Sequence, residues 1–139
     1  MIKKILNSKY CCLYSSFVFL FNVILAYKYN YNIYALFFFM LLSTSLVHHY
    51  YKTDNTYICD QISIMLVVLY GSYLLYQKRD CNSLVLLFII SLFLSTVYLY
   101  HYGKLKKKYV FSKNIITSNK YHVLMHIIAA VGNGLVIII

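Results

Sequence analysis

The chain has 139 residues, 62% of them hydrophobic, with no proline, no tryptophan and three acidic side chains against thirteen basic ones. A soluble domain of this size needs a much more polar surface, because so small a body cannot hide that share of apolar atoms. A net charge of +10 would suggest nucleic acid in a soluble chain, but here the basic residues fall between apolar runs, where membrane topology and anionic lipid headgroups account for them.

Five apolar runs reach or approach the roughly 20 helical residues that cross a hydrocarbon core. Inside a bilayer each segment must satisfy its own backbone hydrogen bonds, which leaves helices or a closed barrel. A barrel shows period-two alternation between turn signals; Leu84-Val85-Leu86-Leu87-Phe88-Ile89-Ile90 is instead continuously apolar. The fold class expected is therefore all-α: a polytopic membrane protein with five transmembrane helices in a single domain over residues 1–139, without internal repeats or a separate soluble unit.

The first span covers about 10–27. It comes after Met1-Ile2-Lys3-Lys4, but it is longer than a signal-peptide core and lacks a clear small-residue cleavage site, so it reads as a retained helix. Cys11 and Cys12 lie at its start and are candidates for palmitoylation. Together with Cys59 and Cys81 they form no paired zinc motif and read as reduced, packed thiols. The second span covers about 33–51, the third about 57–76, the fourth about 82–102 and the fifth about 121–139, the last two separated by a long basic stretch over 103–120. Seventeen tyrosines cluster at the span ends, as in interfacial aromatic belts.

With five spans, the N-terminus, the link after span two and the link after span four share one side. That side collects ten lysines (Lys3, Lys4, Lys9, Lys52, Lys104, Lys106, Lys107, Lys108, Lys113 and Lys120) against Lys28, Lys78 and Arg79 opposite. The positive-inside rule makes that side, and the N-terminus, cytosolic and the C-terminus outside or lumenal. Lys104-Leu105-Lys106-Lys107-Lys108 then lies against anionic headgroups, at about 1 kcal/mol per basic residue; a plain stop-transfer anchor explains the same residues.

Polar side chains gather at that face. His48 and His49 close span two, Asp60 opens span three, and His122 and His126 open span five. His122 and His126 are four apart and project from one helical face, the spacing of His-x-x-x-His metal pairs. Ser45 and His49 share a face of span two by the same rule. Ionisable groups within membrane helices are rare and line cavities or pair with one another. Imidazoles from His49, His122 and His126 would supply three neutral nitrogen ligands to a tetrahedral zinc with a water in the fourth position. Asp60 would accept a hydrogen bond from that water and take its proton, and Ser45 would orient a ligand or the water. A structural explanation stands beside this: histidine is common at helix ends, aspartate suits a helix start, and serine packs well between helices. His48 competes with His49 for the ligand role, and His101, at the end of span four, is either a further ligand or interfacial.

The stretches Ser45-Leu46-Val47-His48-His49, Asp60-Gln61-Ile62-Ser63-Ile64 and Tyr121-His122-Val123-Leu124-Met125-His126 resemble the signature of the CREST superfamily of membrane hydrolases. That superfamily includes alkaline ceramidases, the adiponectin and progestin receptor family, and haemolysin III-type, Per1-like and myomaker-like proteins. Its pattern places a serine and a histidine at the end of the second helix, an aspartate at the start of the third and His-x-x-x-His at the start of the last. The tail Ile127-Ile128-Ala129-Ala130-Val131-Gly132-Asn133 is also similar to the stretch after that pair in these families. The resemblance implies zinc on His49, His122 and His126, with Asp60 and Ser45 beside the metal, and a lipid amide or ester, such as ceramide, as substrate. Family members usually have seven helices, whereas this chain has room for five. A five-helix bundle encloses a lipid-sized cavity only if chains associate, which adds a homo-oligomer to the expected partners. Two other readings stay open: a reduced, non-catalytic scaffold or lipid-interaction protein, and a receptor-like ligand sensor.

Overall fold

The computed structural model describes residues 10–139. Lys3, Lys4 and Lys9, which entered the charge count, and Met1-Ile2 lie outside the described residues. Within them the chain is helical, with no strand: α1 (Cys11–Ser16), α2 (Val18–Lys28), α3 (Asn32–Tyr51), α4 (Asp54–Gln77), α5 (Ser83–Lys106), a 3-10 turn (Tyr109–Phe111) and α6 (Ile115–Ile138). Five segments are long and apolar enough to cross a membrane: Cys11–Lys28, Asn32–Tyr51, Asp54–Gln77, Ser83–Phe111 and Ile115–Ile138.

α1 and α2 form one such segment, interrupted at Phe17. There the Phe17 N–H bonds to the Tyr14 carbonyl at 3.3 Å and the Leu20 N–H to the Phe17 carbonyl at 3.0 Å, tightening the turn to 3-10 geometry. Just before the break, the hydroxyls of Ser15 and Ser16 both donate to the Cys12 carbonyl, at 2.8 and 3.1 Å. Such back-bonding competes with the backbone ladder and bends helices.

Polar caps set the starts of α4 and α6, and both begin earlier than hydropathy alone suggests. Thr53 and Thr56 form a reciprocal capping box that opens α4 at Asp54. The Asn114 side chain accepts from the N–H groups of Ile116 and Thr117, at 3.0 and 3.2 Å, and opens α6 at Ile115. α5 in turn runs on through Lys106, and Lys107 closes it in the left-handed region at φ 52. The long basic stretch expected over 103–120 is thereby reduced to a short connection around the 3-10 turn. As a result Asp60, His122 and His126 all sit deeper in their helices than the expected boundaries placed them.

The core lies where α3 packs against both α2 and α4, and where α6 packs against α2. Phe19, Tyr34, Phe38, Val67, Leu74, Ala130 and Ile137 fill it. Gly71 lets the Tyr34 hydroxyl approach the α4 backbone, and that hydroxyl donates to Asn133 of α6. At the end where α6 finishes, the Lys78 ammonium donates to the carbonyls of Val136 and Ile137, at 2.9 and 3.1 Å, satisfying groups that the last helical turn leaves unpaired.

The outside of the bundle is as apolar as its inside: Leu84 is 76% exposed, and Phe21, Leu69, Leu87 and Leu94 also point outward. α5 is the least embedded helix, with 11% of its most apolar window buried. Among the described residues it packs along its length on α6 and the 3-10 turn. It reaches α4 through polar tips at one end, where the Tyr57 and Tyr100 hydroxyls bond to each other and Tyr100 donates to Gln61 at 3.4 Å.

A candidate metal centre of three histidines

The chain direction alternates from one long segment to the next, so the end of α3, the starts of α4 and α6 and the start of the first segment meet at one end of the bundle. His49 stands in the last turn of α3, and His122 and His126 stand on consecutive turns of α6. Their ring centroids are 4.7 Å (His49–His122), 4.7 Å (His122–His126) and 5.6 Å (His49–His126) apart. One ligand nitrogen from each lies within 4.8 Å of the other two. His49 and His126 are buried, and His122 is half-buried. Nitrogens bound tetrahedrally at 2.0–2.1 Å sit about 3.3 Å apart, so the set would have to close to that spacing to share one ion.

The hydrogen bonds around the rings differ. The His49 Nε2 is buried with no partner. A buried polar atom left unpaired costs about 1–3 kcal/mol, and this one belongs to a ring packed against two other imidazoles. The Nδ1 of His126 lies 2.8 Å from the Ser15 hydroxyl, and the Phe19 ring packs against the same imidazole at 5.2 Å. The first segment therefore grips His126 from two successive turns.

The remaining expected site residues each have partners of their own. Ser45 is buried and bonds to Ser16 at 2.9 Å. The Ser16 proton already serves the Cys12 carbonyl, so Ser45 donates to Ser16 and keeps its lone pairs free. Asp60 is buried, and its carboxylate accepts from Thr44 at 3.4 Å. It stands outside the set of ligand atoms that lie within 4.8 Å of one another. His48 turns the other way, with its Nδ1 3.3 Å from the Thr56 hydroxyl and its ring near Tyr57. His101 is exposed against Tyr100. Ser15, Ser16 and Thr44 did not stand out in the sequence; the only available signal was a pair of adjacent serines in an apolar segment.

Two shallow concavities lie on the outside of the bundle. One, of about 360 Å³, is lined by Val23, Ile24, Tyr27, Ala35, Leu36 and Phe39. The other, of about 300 Å³, is lined by Ser43, Thr44, Val47, Asn55, Thr56 and Cys59. Neither contains a histidine of the cluster.

No protein-family model, curated protein or solved structure matches the chain.

Proposed function

We propose that the chain is a multi-pass integral membrane protein, N-terminus cytosolic, and a zinc-dependent hydrolase of the CREST type acting on a lipid amide or ester. Its apolar exterior supports the membrane reading, since soluble monomers rarely expose contiguous apolar patches beyond a few hundred Å². The orientation rests on charge: among the described residues, Lys52, Lys104, Lys106, Lys107, Lys108, Lys113 and Lys120 lie at the histidine end, against Lys28, Lys78 and Arg79 at the other.

The observation that carries the metal reading is the buried, unpartnered Nε2 of His49, in a ring packed against the imidazoles of His122 and His126. Three neutral nitrogen donors with no thiolate among them suit zinc in an open site. When bound, zinc supplies Lewis acidity for polarising a carbonyl and acidifying a water. The protein's own groups do the rest. His49, His122 and His126 hold the ion. Ser45, its proton committed to Ser16, offers an acceptor beside the site. Asp60 is the one buried carboxylate among the described residues, and in this reading it takes up the proton released in hydrolysis.

Metal analysis of the purified full-length protein tests the reading. About one equivalent of zinc, lost in His126→Ala, together with chelator-sensitive release of fatty acid from a lipid amide or ester, is expected. A wild-type protein with less than about a tenth of an equivalent after zinc incubation and buffer exchange overturns it, since such sites normally bind far more tightly than that.

A non-catalytic scaffold or lipid-interaction protein is the second reading. It is favoured by Asp60 bonding to Thr44 outside the ligand set. Zinc retention without chelator-sensitive hydrolysis would select it.

A further inference from the structure

The first segment carries a residue that acts on the cluster without belonging to it. Ser15 sits immediately before the break at Phe17, and its hydroxyl makes two contacts of 2.8 Å, to the Cys12 carbonyl oxygen and to the His126 Nδ1. One proton is available on the hydroxyl, and a carbonyl can only accept. Both bonds form together in a single arrangement: Ser15 donates to Cys12, and the His126 Nδ1–H donates to Ser15. The neutral imidazole then carries its proton on Nδ1 and its lone pair on Nε2.

We propose that Ser15 is a positioning residue that fixes His126 in the Nδ1–H tautomer and so presents Nε2 to His49 and His122. The inference rests on the metal reading for its purpose, but the tautomer itself exists without a metal. Metal-binding histidines commonly donate their other ring N–H to a fixed acceptor, which sets ring orientation and raises ligand basicity. Here that acceptor is held rigid at its other side. The Cys12 carbonyl anchors the Ser15 hydroxyl, and Ser16, the neighbour bonded to the same carbonyl, carries Ser45. One carbonyl of α1 thus orients side chains that serve both α3 and α6. Phe19, one turn on, packs on the His126 ring and opposes its rotation.

The test is the nitrogen-15 spectrum of ring-labelled histidine in the metal-free, full-length protein, with His126→Gln used to assign the signal. Wild type is expected in the Nδ1–H form, Ser15→Thr to keep it, and Ser15→Ala to move toward the Nε2–H form while the other histidine signals stay in place. A wild-type His126 found as Nε2–H overturns the proposal without needing any variant to fold, and so does an Nδ1–H signal unchanged in a folded Ser15→Ala. Zinc titration forms the second arm, in which Ser15→Ala weakens binding about 10–100-fold and Ser15→Thr restores it. Equal affinity in all three proteins also overturns the proposal. If wild type binds no zinc, the metal reading fails by itself, and the tautomer measurement still decides the role of Ser15.

Discussion

His49 meets His122 edge-on, ring centroids 4.7 Å apart and planes at 78°, between the last turn of α3 and the first half of α6. His48, its immediate neighbour, spends its Nδ1 on Thr56 instead. Helical geometry turns consecutive residues by about 100°, so only one of the two can face the cluster.

That divergence separates two variants. His49→Ala removes a cluster nitrogen and is expected to lower cobalt or zinc affinity by more than the 10–100-fold typical of losing an outer partner. His48→Ala is expected to leave affinity and the visible spectrum of the cobalt form unchanged. Loss of the spectrum in His48→Ala with retention in His49→Ala would reverse the assignment.

Gly71 has the tightest surroundings of the glycines among the described residues. A Cβ there would lie 2.5 Å from the Tyr34 hydroxyl oxygen and 3.3 Å from the Asn133 Oδ1. Tyr34 is fully buried and cannot swing away. Gly71→Ala is therefore expected to break the Tyr34–Asn133 bond and cost about 1–3 kcal/mol in a detergent unfolding titration. Gly132→Ala meets Leu92 at 3.6 Å, an ordinary contact, and is expected to be close to neutral in the same titration.

Lys78 holds the far end of α6 through the Val136 and Ile137 carbonyls, and its ammonium also lies 4.9 Å from the centre of the Tyr31 ring. Lys78→Met removes the donor and keeps much of the stem. The expected loss is about 0.5–2 kcal/mol, read as faster amide exchange over the last turn of α6. Unchanged exchange there would mean the ammonium contributes nothing to holding that turn.

Orientation has a chemical readout. Cys81 lies in the turn between α4 and α5, at the end opposite the histidines. In intact cells or sealed vesicles, a membrane-impermeant maleimide is expected to label Cys81 from the outer or lumenal side. A cysteine introduced as Lys113→Cys, in a Cys81→Ser background, should react only after permeabilisation. The opposite pattern would invert the proposed topology.

Hydropathy was enough to locate the five long helices, because continuous apolar runs of this length have few other fates. Their ends were less legible. Asn114 and the Thr53–Thr56 pair extend α6 and α4 into polar sequence, and caps act through single side chains that a hydropathy window averages away. The cluster was half legible. Spacing along one helix pairs His122 with His126, but it cannot give the rotation of one helix against another, and that rotation decides that Asp60 meets Thr44. The Ser15–His126 bond spans 111 positions and has no local signature, so only the packed bundle reveals it.

α5 stands against α6 like a door hung on one post, latched at one end by the hydroxyls of Tyr57 and Tyr100. With so little of its most apolar stretch covered by the rest of the bundle, α5 leaves a broad oily flank that would have to be kept from water.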